Sequence, residues 1–128
     1  MACVLDASAV LCLIFSEKGS DKVEARLGDA SMSVVNYTEV LSKLIDRGLG
    51  ADEAVQDLSD LDIAVIPVGQ DVAEEAARLR SVSKEVGLSL GDRFCLALAK
   101  SLGAPALTTD RAWKEIAKAT GVKVELVR

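Results

Sequence analysis

The sequence predicts an α/β domain with a mainly parallel sheet, about five strands alternating with about seven helices, and three observations predict it. Short apolar runs recur at residues 3–5, 32–35, 63–68, 106–108 and 122–127. Each gap between them holds at least one stretch with helical periodicity, and strands alternating with helices imply parallel pairing through crossovers. Most of the runs also lack a polar face, as strands covered on both sides require.

Taken in order, the run at 3–5 ends in Asp6 and leads into a helical pattern at 7–16, followed by a shorter one at 21–27. The run at 32–35 passes into a helix at 37–47, closed by Gly48 and Gly50, and a second helix at 51–61. After 63–68 come helices at 71–86 and 93–102, followed by Gly87 and Gly103. The run at 106–108 precedes a helix at 113–119, then Gly121 and the last strand. Glycine after a periodic segment is the expected left-handed C-cap.

Composition narrows the function. With 128 residues, half of them hydrophobic, the chain reads as one domain over 1–128 with a substantial core. Its longest apolar stretches, such as residues 9–15, fall far short of the ~20 needed to span a bilayer, and no basic leader stands before them, so a cytoplasmic protein without a membrane partner is expected. Cys3, Cys12 and Cys95 are scattered within apolar patterns and read as reduced core thiols. Histidine is absent, which removes the commonest general base, the Ser/His/Asp and Cys/His triads and the usual nitrogen ligand for transition metals. The net charge of −5 opposes nonspecific polyanion binding, but acids holding divalent cations make a site locally positive.

Four acids stand at positions that matter. Asp6 and Asp110 each follow a strand, and the carboxyl ends of parallel strands are where such folds place ligands. Both positions equally suit a helix N-cap. Asp92 shares a helical stripe with Cys95, Leu96 and Ala99, the side facing the sheet, where a carboxylate needs a cation or hydrogen bonds; a first-turn cap is the alternative. Glu39 lies near the start of the helix after the second strand, away from the stripe Tyr37, Val40, Leu41, Leu44 and Ile45, and by itself reads as a solvated glutamate. If all four meet, their repulsion calls for a cation, and hard oxygen ligands favour Mg²⁺ or Mn²⁺. Two such ions can drive phosphodiester hydrolysis without a protein base.

These residues carry a resemblance. Val4-Leu5-Asp6-Ala7-Ser8-Ala9-Val10, Asn36-Tyr37-Thr38-Glu39-Val40, Leu88-Ser89-Leu90-Gly91-Asp92-Arg93 leading into Leu96-Ala97-Leu98-Ala99-Lys100, and Leu107-Thr108-Thr109-Asp110-Arg111 occur in the order found in PIN-domain ribonucleases, and the chain resembles more narrowly the VapC-type toxins of toxin–antitoxin pairs. The resemblance implies a PIN-like three-layer sandwich with Asp6, Glu39, Asp92 and Asp110 as the catalytic, metal-binding pocket, Thr108 as its hydroxyl, and Ser8 ordering water or phosphate. It further implies cleavage of single-stranded or looped RNA with Mg²⁺ or Mn²⁺, a homodimer, and inhibition by a small VapB-type antitoxin. Arg93 and Arg111 adjoin site acids and could meet substrate phosphates, or simply pair with those acids. Gly91 stands where such proteins often carry a larger residue, which predicts a more mobile backbone there.

Competing readings are a phospho-acceptor receiver domain, an aspartyl phosphatase and a catalytically inert PIN-like interaction module. The first needs an acceptor acid ending the third strand, where Ile63-Ala64-Val65-Ile66-Pro67-Val68 has none, and the second an acid two residues after Asp6, where Ser8 stands. The inert module stays open. Leu11, Ile14 and Phe15 look exposed and apolar, which predicts a dimer or antitoxin groove on the early helices.

Overall fold

The computed structural model describes residues 2–128. The strands are β1 (Cys3–Leu5), β2 (Ala30–Ser33), β3 (Ala64–Ile66), β4 (Ala106–Thr108) and β5 (Val124–Leu126). The helices are α1 (Ala7–Ile14), α2 (Ser20–Glu24), α3 (Val34–Asp46), α4 (Ala51–Ser59), α5 (Gln70–Ser83), α6 (Leu90–Leu102) and α7 (Trp113–Thr120), with a 3₁₀ turn at Leu27–Asp29. All five strands join one sheet in the order β3-β2-β1-β4-β5, every neighbouring pair parallel.

Strand alternation divides the core in two. Cys3, Leu5 and Leu107 face the layer of α1 to α4, while Val4, Ala106 and Val124 face α5 to α7. β1, central and fully buried on both sides, therefore needs no polar residue until Asp6. Burying Leu5, Leu96, Leu107 and Trp113 almost completely stabilises the sandwich by about 1.5–3 kcal/mol per large side chain.

The second strand ends two residues earlier than its apolar run suggests. Ser33 caps α3 by accepting the Asn36 N–H at 3.1 Å, so Val34 and Val35 enter the first helical turn despite their β-branching. Similarly, Ser89 caps α6, which opens at Leu90, and Asp92 returns the bond to the Ser89 N–H. Pro67, which has no N–H, follows the end of β3, an edge strand whose Ala64 and Val65 are exposed. Leu11, Ile14 and Phe15 are half-buried against the core rather than exposed; the large exposed apolar residues include Val34, Ile45, Val65 and Leu90 instead.

In a parallel sheet every strand ends on the same edge. Helices α1, α3 and α7 leave from there, and α6, running back toward the start of β4, begins there. Helix N-termini carry partial positive charge, so this edge favours carboxylates. Among the described residues no helix is long and apolar enough to cross a membrane.

Candidate active site

Asp6 is the N-cap of α1 and is 2% exposed. Its Oδ1 accepts the Ala9 N–H at 2.7 Å and the Ser8 hydroxyl at 2.7 Å; its Oδ2 accepts the Thr108 hydroxyl at 2.6 Å. Each hydroxyl has one proton, and both protons go to Asp6. Their oxygens then accept backbone N–H groups of the loop after β4, Thr109 at 3.1 Å to Ser8 and Asp110 at 3.0 Å to Thr108. The loop bearing Asp110 is thus tied to the Asp6 carboxylate through two hydroxyls. Burial nevertheless dominates: it pushes the Asp6 pKa up to about 6 against the bonds from Thr108, Ser8 and Ala9, with the charge of Asp92 adding to the rise.

Asp92 is half-buried at the third position of α6, its Oδ2 accepting the Ser89 N–H at 3.0 Å. Burial raises its pKa, the Ser89 bonds oppose the rise, and Asp110 adds to it. Asp6 and Asp92 thus both take the helix-capping positions that their places in the sequence allow. Asp110 is exposed and its Oδ1 accepts the Ala112 N–H at 2.9 Å.

Glu39 points inward rather than to solvent. Its Oε1 accepts from Asn36 Nδ2 at 2.8 Å, and its carboxylate occupies the space that a side chain on Gly91 would fill. Asn36 is buried and fully engaged: its amide also donates to Gly91 O at 3.0 Å, and its Oδ1 accepts the Ser33 hydroxyl at 2.7 Å. Gly91 is a buried residue within the first turn of α6, and its missing Cβ makes room for Glu39. Asn36 escaped sequence reading as a functional residue, although a polar side chain on the buried stripe with Val40 and Leu44, three residues before Glu39, was a usable signal.

The acids share one electrostatic neighbourhood. Asp6, Asp92 and Glu39 each raise the pKa of the buried Cys95 thiol, whose largest perturbation is burial itself. No lysine or arginine forms an ion pair with any of the four acids among the described residues. Nor, among those residues, do any three histidine, cysteine, aspartate or glutamate side chains come close enough together to hold a metal ion. The four acids nonetheless offer oxygen donors alone, which suits a hard divalent ion, and Asp6 is a desolvated carboxylate with no ion-pair partner among the described residues.

The two arginines differ. Arg93 turns to α5, donating from Nη1 to Ala76 O at 3.1 Å with its Nε buried and unpartnered, so it anchors α6 to α5 instead of facing the acids. Arg111 is exposed beside Asp110 without an ion pair to it.

Fold and site together define a parallel α/β protein with a histidine-free carboxylate edge at its strand ends. The chain belongs to the PIN-domain family, whose model matches residues 3–119. Solved structures share the whole fold. A toxin–antitoxin complex from Klebsiella pneumoniae superposes with a TM-score of 0.73 at 20% identity, covering 99% of this chain and 98% of that one. DNA-bound VapBC from Salmonella typhimurium gives 0.76 at 13% identity, with 100% and 99% covered. VapBC-5 from Mycobacterium tuberculosis gives 0.66 at 26% identity, with 98% and 99% covered. Among curated proteins none matches the chain in sequence.

Proposed function

We propose that the chain is a metal-dependent endoribonuclease acting as the toxin of a type II toxin–antitoxin pair. Membership of the PIN-domain family supports nuclease chemistry, and the similarity to toxin–antitoxin complexes supports a VapB-type antitoxin as partner, with a homodimer as the assembly the resemblance implies. The observation that carries the reading is Asp6: a carboxylate almost wholly withdrawn from water, pressed by the charge of Asp92 and paired with no cation among the described residues.

Asp6, Asp92, Glu39 and Asp110 would hold Mg²⁺ or Mn²⁺. When bound, the ion supplies a water nucleophile and neutralises charge on the phosphodiester. The chain's own residues set the geometry. Thr108 and Ser8 fix the rotation of the Asp6 carboxylate, and Asn36 holds Glu39 against α6. Asp6 ionises near pH 6, so its acceptor form predominates at neutral pH. Arg111 is free to meet a substrate phosphate.

The test is cleavage of a mixed single-stranded and hairpin RNA substrate with Mg²⁺ or Mn²⁺. Activity should vanish with EDTA and in a folded Asp92→Asn protein. Equal cleavage by wild type and variant would identify a contaminant. Folded wild type without cleavage under either ion would leave the inert interaction module as the reading.

A further inference from the structure

Helices α1 and α3 start at the acidic edge and run in the same direction, and between them opens a cleft of about 410 Å³. Ser8 and Thr109 line it beside Asp6, while Phe15 and Arg47 line it at the far ends of the two helices. The eight residues of α1 span ~12 Å, so the cleft continues beyond the acids along the path of a single strand. Arg47 lies with its guanidinium carbon 4.3 Å from the centroid of the Phe15 ring. Stacked in this way, a guanidinium keeps its in-plane N–H edge available for a phosphate.

Neither Arg47 nor Lys43, one turn earlier on α3, forms an ion pair among the described residues, although Asp46 lines the same cleft. Arg128, also on the cleft, is held by Glu17 at 3.3 Å. In a chain of net charge −5, two unpaired cations beside an aromatic ring, continuous with a carboxylate site, form a surface complementary to a phosphate backbone carrying bases.

We propose that this cleft is the subsite for the single-stranded RNA segment flanking the scissile bond, with Lys43 and Arg47 meeting phosphates and the Phe15–Arg47 stack supporting a base. The assignment rests on the nuclease reading and adds to it the path of the substrate. An exposed cation contributes through long-range charge and one charge-assisted hydrogen bond, so its loss weakens binding without touching the chemistry.

The experiment is steady-state cleavage of a fluorescent single-stranded RNA across a salt series, with wild type, Lys43→Gln, Arg47→Gln and the double variant, and Arg78→Gln on α5 as control. Binding of the same RNA by Asp92→Asn protein, with and without the cleft substitutions, is read by anisotropy. The proposal expects KM and the dissociation constant to rise about tenfold for Arg47→Gln with kcat within twofold. The slope of log affinity against log salt should fall by ~0.7 for each cation removed. Wild-type cleavage with KM and salt slope unchanged in the double variant overturns the subsite and leaves the nuclease reading intact. Variants that lose affinity only for a co-purified antitoxin overturn it too. Wild type that neither cleaves nor binds RNA overturns both.

Discussion

Gly91→Ala separates site geometry from folding. A Cβ at this position falls on Glu39, with even the farthest of the three carboxylate atoms it meets only 2.5 Å away. Ordinary contact needs roughly 3.5 Å, so the carboxylate must retreat by about 1 Å or more and surrender the Asn36 bond. The cost to stability is small. Losing that bond at a half-buried position costs about 1 kcal/mol, and alanine in place of glycine within a helix returns up to about 1 kcal/mol. The melting temperature should therefore move by no more than several degrees. Catalysis is less tolerant, since a displacement of about 1 Å in a reacting constellation costs on the order of 100-fold. RNA cleavage under saturating Mg²⁺, paired with a thermal melt, is the assay. A folded Gly91→Ala protein with kcat within about threefold of wild type would refute the claim that Glu39 acts from this position.

Other outcomes follow from the same contacts. The folded-state pKa of Asp6, raised to about 6 from 3.8, means the native state holds this proton more tightly; stability from this group is highest at low pH, falls as pH rises between those values, and is lower by about 3 kcal/mol above pH 6. Scanning calorimetry without divalent ions should accordingly show a flatter pH dependence in Asp6→Asn, and Mg²⁺ should raise the wild-type melting temperature more at pH 8 than at pH 5. Thr108→Val removes a donor to Asp6 and the acceptor for the Asp110 N–H; cleavage should drop at least tenfold, while Thr108→Ser should largely retain it in the same assay. Asn36→Ala leaves the Ser33 hydroxyl and Gly91 carbonyl without their buried partner, and chemical denaturation should report a loss of about 1–3 kcal/mol together with impaired cleavage.

The alternation of strands and helices, and the residues that end β1 and β4, were legible because burial on both faces leaves long apolar runs that only a functional or capping acid interrupts. Helix starts were less so. The runs at Val34-Val35 and the segment before Arg93 look extended or irregular until Ser33 and Ser89 are recognised as caps, a competition between β-branched preference and local hydrogen bonding that the caps win. The inward position of Glu39 is hard to read from the sequence for a related reason. Its helical face points away from the apolar stripe, and only the approach of α6, fifty residues further along the chain, encloses it. Asn36 and Gly91 are meaningful solely as a pair, and no local pattern links them. Arg93 shows the converse: although next to Asp92 in sequence, it stands about 100° further round the helix and bonds to α5.

The position of β1 between β2 and β4 has a bearing on synthesis. A ribosome that has released the first hundred residues has produced Asp6, Glu39 and Asp92 but not Thr108, whose strand must dock beside the first before the carboxylate is gripped. The Asp6 carboxylate therefore gains its Thr108 hydroxyl only once residues 106–108 have been made and docked, and whatever chemistry this edge supports has to wait for that step.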